Sequence, residues 1–158
     1  MATYPTSVPT GYAGDYTDFL KVKRDTFGAM RTQYTSIAVA DNASAGTSYG
    51  LVPFQKGFRV SYGSKFYTPD LDTASNVTWN IGYKYEDTSS SGAAAASDPD
   101  AFASALSGQS AAVLTFDENE GMSFVAAGNG WVTATLAAGP VTTAGTIEAT
   151  IDSTYDQS

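Results

Sequence analysis

The sequence predicts an all-β protein, a single antiparallel β-sandwich or jelly roll with one short helix over about 98–107 and an extended N-terminal arm. From Tyr34 onward apolar and polar residues alternate with a period of two, the mark of half-buried antiparallel strands. Seven or eight such runs follow one another, divided by Gly, Pro, Asn and Asp, at the spacing of about 8–12 residues that sandwiches show. No internal repeat of the solenoid or propeller kind is present.

The elements follow in order. Residues 1–33 form the arm, rich in Pro, Thr, Ser and Gly but carrying Tyr4 and Tyr12. Within it, residues 15–31 (DYTDFLKVKRDTFGAMR) read equally as a short helix capped by Asp15 or as extended chain. Residues 34–158 form the sandwich. Ile37 and Val39 alternate with Ser36 and Ala38, and Phe58, Val60 and Tyr62 with Arg59 and Ser61. The clearest run is 76–85, with Val77, Trp79, Ile81, Tyr83 and Tyr85 on one face. Residues 88–97 (TSSSGAAAAS) are a low-complexity loop. The stretch after it predicts the helix. Asp98 is placed to accept free amides, Pro99 suits a first helical position, Gly108 stops the run, and Phe102 and Leu106 form a buried stripe. Strands resume with Val113, Leu114 and Phe116, then Met122, Phe124 and Ala126, with a tight turn at Asn129-Gly130. Val132, Ala134 and Leu136 point inward in the next run, and Ile147, Ala149 and Ile151 in the last, with Gly139-Pro140 between them.

Composition narrows the function. A chain of 158 residues suits one domain and can bury a core without disulfides or metal. There is no cysteine and no histidine, which removes thiolate zinc sites, redox motifs, cysteine nucleophiles and the usual hydrolase triads. All eight basic residues precede position 85, beside six acidic ones, a balance of +2; residues 85–158 carry ten carboxylates and no base. Phosphate neutralisation needs clustered Lys or Arg, so nucleic acid is not an expected partner. One reading of the asymmetry is solubility. The other sets the basic half on a partner and the acidic half toward solvent. The opening residues have neither a basic start nor an apolar run, so no secretory signal is expected. No stretch approaches the roughly 18 apolar residues of a membrane span.

No constellation predicts catalysis. Residues 117–121 (DENEG) resemble the start of a calcium loop but lack its remaining ligands and closing glutamate, so an acidic turn explains them. Asp98 and Asp100 could form a carboxylate pair, but helix capping accounts for both. Ser61 and Ser64 lie near Lys65 without Ser-x-x-Lys spacing or a nucleophile elbow. Trp131 and Tyr85 could make a sugar-binding platform, although strand aromatics more often serve core or interface. Asn42-Ala43-Ser44 and Asn76-Val77-Thr78 match the glycosylation pattern by chance. No catalytic, cofactor-binding or metal-binding residue is predicted.

Four segments in succession carry a resemblance: LVPFQKGFRV (51–60), SNVTWNIGYKY (75–85), DPDAFASAL (98–106) and TTAGTIEATI (142–151). Their order and spacing over residues 34–152 resemble small structural proteins of tailed bacteriophages, the head decoration or cement proteins encoded near the major capsid gene. The resemblance implies a jelly-roll-like sandwich, a homo-oligomer (dimer or trimer) on the capsid lattice, the major capsid protein as partner, and no enzymatic activity. It implies a virion protein on the capsid surface, made in the host cytoplasm, with no nucleic acid or membrane partner. The alternatives are a head- or tail-fibre adhesin and a carbohydrate-binding β-sandwich module. Candidate capsid contacts are Tyr12, Tyr16, Phe19 and Arg24, which precede the sandwich and are not needed by its core.

Overall fold

The computed structural model describes residues 30–61, 63–72, 77–86, 97–116 and 123–155. Nine strands follow one another: β1 Arg31–Val39, β2 Ser48–Phe54, β3 Phe58–Val60, β4 Lys65–Thr68, β5 Thr78–Tyr85, β6 Asp98–Ser107, β7 Ala112–Thr115, β8 Gly130–Ala138 and β9 Gly145–Tyr155. They form two antiparallel sheets. The first runs β1-β9-β4-β7, with β3 also paired to β9; the second runs β2-β8-β5-β6. The sandwich is all-β, as the alternation predicts. The first strand begins at Arg31, which pairs with Ser153, three residues before the expected start of the sandwich.

Alternation accounts for the core. Ile37 and Val39 of β1, Trp79 and Ile81 of β5, Val132, Ala134 and Leu136 of β8, and Ile147, Ala149 and Ile151 of β9 are all buried. Contacts across the two sheets close the layer: Phe66 of β4 meets Trp79 of β5 edge-on at 5.7 Å. An aromatic group fills one region, with Phe54 stacked on Phe58 at 5.2 Å and edge-on to Tyr85 at 5.8 Å. Such pairs add to plain area burial, about 0.5–1.5 kcal/mol each.

The expected helix over 98–107 is not formed. These residues are β6, an edge strand on β5. The error has a definite cause: residues four apart share a face on a helix, but also on a strand, whose period is two. Phe102 and Leu106 are both buried, as the helix required, yet they belong to a strand paired with β5, and Phe102 packs against Tyr83 and Phe116. The strand is irregular. Ile81 pairs with Ala103 but Tyr83 pairs with Asp98, so β6 spends three more residues than β5 over that interval. At the other register shift, between the Trp79–Leu106 and Ile81–Ala103 pairs, Ala105 takes a left-handed φ of 51°, and its amide donates to Asn80 Oδ1 at 2.9 Å. Asp98, Pro99 and Asp100 lie at an edge, where charge and proline blunt further strand pairing.

A second expectation also fails. Among the described residues, nothing between Phe116 and Gly130 is strand, so Asn129-Gly130 does not join two strands. Gly130 instead opens β8, where a Cβ would lie 2.4 Å from the Lys84 carbonyl oxygen and 2.7 Å from Phe54 Cζ. Close backbone approach, not turn geometry, requires glycine there. Gly139-Pro140 does separate the last two strands, and these belong to opposite sheets.

Candidate interaction surface

The side chains of the first sheet that alternate away from the core build an outer face. Strand pairing sets two rows across it. One row is Ser36, Glu148, Tyr67 and Val113; the next is Tyr34, Thr150, Lys65 and Thr115. Between them lies a shallow depression of about 200 Å³, lined by Tyr34, Lys65, Tyr67, Val113, Glu148, Ala149 and Thr150. Tyr34 and Val113 are 52% and 63% exposed, and Met30, just before β1, is 66% exposed. These are the most exposed large apolar side chains among the described residues. β-Branched threonines fill much of the remaining face, which suits a pleated surface.

The electrostatics of this face are local. The Tyr34 hydroxyl hydrogen-bonds Glu148, and this bond is the main reason the phenol pKa lies above its usual 10.0; burial and the carboxylate's charge add to it. Thr32 Oγ1 donates to Asp152. The Ser64 hydroxyl, buried beneath the face, donates to the Asp152 carbonyl at 3.2 Å and accepts the Asp152 amide at 2.9 Å. Ser64 therefore faces inward while Lys65 faces solvent, so the two are not poised as a nucleophile and its base.

Among the described residues, the first sheet mixes charges from both halves of the chain. β9, from the acidic half, lies between β1 and β4 from the basic half. Glu148 and Asp152 thus share one face with Arg59 and Lys65. On this sheet, therefore, basic residues of the first half and acidic residues of the second half lie on one common face.

The other sequence candidates fall into place individually. Tyr12, Tyr16, Phe19 and Arg24, the 117–121 loop and Asn76 lie outside the described residues. Tyr85 is buried, and its hydroxyl accepts the Ala127 amide at 3.1 Å. Trp131 is half-buried; its indole N–H donates to Glu86 Oε1 at 3.1 Å, and its ring lies close over Gly50, where a Cβ would be 2.9 Å from Cε3. The two do not form an open aromatic platform. Asp98 and Asp100 do not cap a helix: the Asp100 amide donates to Asp98 Oδ1 at 3.3 Å within β6. A hydrogen bond with the Asp98 side chain, aided by burial and its charge, raises the Asp100 carboxyl above its usual value. Asp100 is nonetheless exposed at the sheet edge. Among the described residues no group of three or more acidic side chains is arranged to hold a metal ion.

The outer-face residues were not legible beforehand. The outward phase of Ser36 and of Glu148, Thr150 and Asp152 was visible, but neither the strand carrying Lys65 and Tyr67 nor which strands lie side by side was.

No protein-family model matches the chain, and no curated protein matches it. Solved structures do. A chain of the Ralstonia phage GP4 capsid superposes with a TM-score of 0.67 and 21% identity, over 85% of this chain and 89% of that one. A chain of the cyanophage Pam1 capsid asymmetric unit superposes with a TM-score of 0.52 and 16% identity, over 80% and 85%. This sandwich is a fold used in phage capsids. The likeness spans most of both partners, so it concerns the whole two-sheet architecture and not one hairpin.

Proposed function

We propose that the chain is a structural virion protein that binds the outside of a phage capsid and stabilises its lattice, a decoration or cement protein. The observation that carries this reading is the near full-length likeness of its fold to a chain of the GP4 capsid. Sequence supports it from another side: a chain with no histidine and no cysteine lacks the commonest general base and any thiol nucleophile. Its work then lies in shape and surface. A protein that binds only the assembled lattice stabilises that lattice by mass action. The partner is the major capsid protein, and copies of the chain act as a dimer or trimer. Tyr12, Tyr16, Phe19 and Arg24 are the proposed anchors, being of the residue types that dominate interface energetics.

The test is cosedimentation of the purified full chain with expanded phage heads lacking it. Saturable binding and a raised melting temperature of the heads are expected. Replacing the four anchors by alanine together should weaken binding at least about 100-fold, since each hot-spot residue typically contributes about 2 kcal/mol or more. A full chain that ignores heads and binds host glycans would replace this reading with the adhesin.

A further inference from the structure

We propose that the outer face of the first sheet joins two copies of this chain, with Lys65 of each set against Glu148 of the other. The inference takes from the capsid reading only the expectation of an oligomer; the face itself supplies the argument.

Two copies of a chain with net charge −8 repel each other over most approaches. At physiological salt the Debye length is about 8 Å, so the charges lining the contact decide whether it can form. On this face Arg59 and Lys65 balance Glu148 and Asp152. Among the described residues these four charges sum to zero, and the exposed apolar side chains Tyr34 and Val113 lie among them. Tyr67 lies between Glu148 and Val113 in its row. Face-to-face sheets pack about 10 Å apart, which lets outward side chains of that size interdigitate.

The arrangement is also self-complementary. Lys65 and Glu148 stand in adjacent rows on neighbouring strands. A two-fold axis lying in the interface, passing between them at right angles to the line joining them, sets each Lys65 over the Glu148 of the second copy. The pair is then made twice, as an isologous contact requires. Glu148 lies on β9 between Ser36 of β1 and Tyr67 of β4, within the patch. Lys65 is exposed on this face, where its ammonium can reach a second copy.

Sedimentation velocity of the full chain across a hundredfold concentration range tests this, with the four variants wild type, Lys65→Glu, Glu148→Lys and the double exchange. Both side chains point outward, and unchanged circular dichroism and melting confirm that each variant folds. Wild type should dimerise, each single reversal should weaken the dimer at least tenfold, and the double exchange should restore it to within about threefold. A monomeric wild type, or a double exchange no better than the singles, overturns the proposal. Head binding is read separately on the same proteins. Monomers whose head binding is lost on a single reversal assign the face to the capsid instead, which also overturns it. A charge-swappable dimer that ignores heads sustains this inference and removes the capsid reading.

Discussion

Replacing Gly82 by alanine tests how the edge strand β6 is held on β5. A Cβ at Gly82 would sit 2.1 Å from the Asp98 carbonyl oxygen, 2.4 Å from the Pro99 carbonyl carbon and 2.7 Å from the Asp100 nitrogen. Ordinary contact begins near 3.4 Å, and all three atoms are backbone, so no side-chain rotation relieves the clash. The start of β6 must retreat by more than about 1 Å, loosening the Tyr83–Asp98 pairing. Overpacking of this kind costs about 1–3 kcal/mol, and rigid backbone on the opposing side argues for the upper end, about 3 kcal/mol. For a domain of this size each kcal/mol moves the melting temperature by about 2–4 °C, so a fall of about 6–12 °C is expected. Gly128→Ala is the control: its nearest neighbour is Tyr85 Cδ1 at 3.9 Å, and it should melt close to wild type. The assay is calorimetry of both variants beside the parent. If Gly82→Ala melts with Gly128→Ala, β6 does not cross β5 as described, and a segment free to rearrange, helical or otherwise, must be reconsidered.

Other perturbations follow from single residues. Thr35 is fully buried and its Oγ1 has no hydrogen-bond partner, so Thr35→Val should stabilise by about 1 kcal/mol in urea denaturation, by removing an unpaired polar atom. Ala105 holds a left-handed φ, so Ala105→Gly should fall within about 0.5 kcal/mol of wild type, because relieved strain offsets the entropy glycine adds to the unfolded chain. Buried Ala103 shows no such compensation, and Ala103→Gly should cost about 1 kcal/mol or more. Asp100 binds its proton more tightly in the folded state than in the unfolded one. Its contribution to stability therefore improves as pH falls through the raised value toward the usual one, and is unfavourable above both. Asp100→Asn should melt slightly above wild type at pH 7, with the difference closing as pH falls through the carboxylate range; an unchanged gap would show that the Asp98–Asp100 pair does not form. Adding calcium should leave the melting temperature of the whole chain unmoved, since any ion bound to the native 117–121 loop would raise it.

The helix error shows what pattern alone leaves open. Over 98–107 the residues satisfied every local helix rule: a capping aspartate, a proline after it, and a four-residue apolar spacing. The decisive influence was elsewhere in the chain. Trp79 and Ile81 are fully buried, and a strand pairing along β5 satisfies that strand's edge hydrogen bonds, which a helix could not do. Tertiary pairing overrode a weak local preference. The Asn129-Gly130 turn fails for a related reason: glycine is needed for φ freedom in one setting and for close packing in another, and the two look alike in a sequence.

What the sequence by itself determined is which residues face inward. Period two survives in any neighbourhood, because the pleat sends successive side chains to opposite faces whatever strand lies alongside. The all-β class and the inward sets of β1, β5, β8 and β9 follow from that alone. The tertiary structure decided which strands are neighbours, and with them the composition of each surface. Tyr34, Tyr67, Val113 and Glu148 come from four strands spread along the chain. They become one face only because β9 inserts between β1 and β4, and β7 closes the edge. Strand order is a long-range choice, set by how two whole sheets share one core, and no local stretch of residues records it.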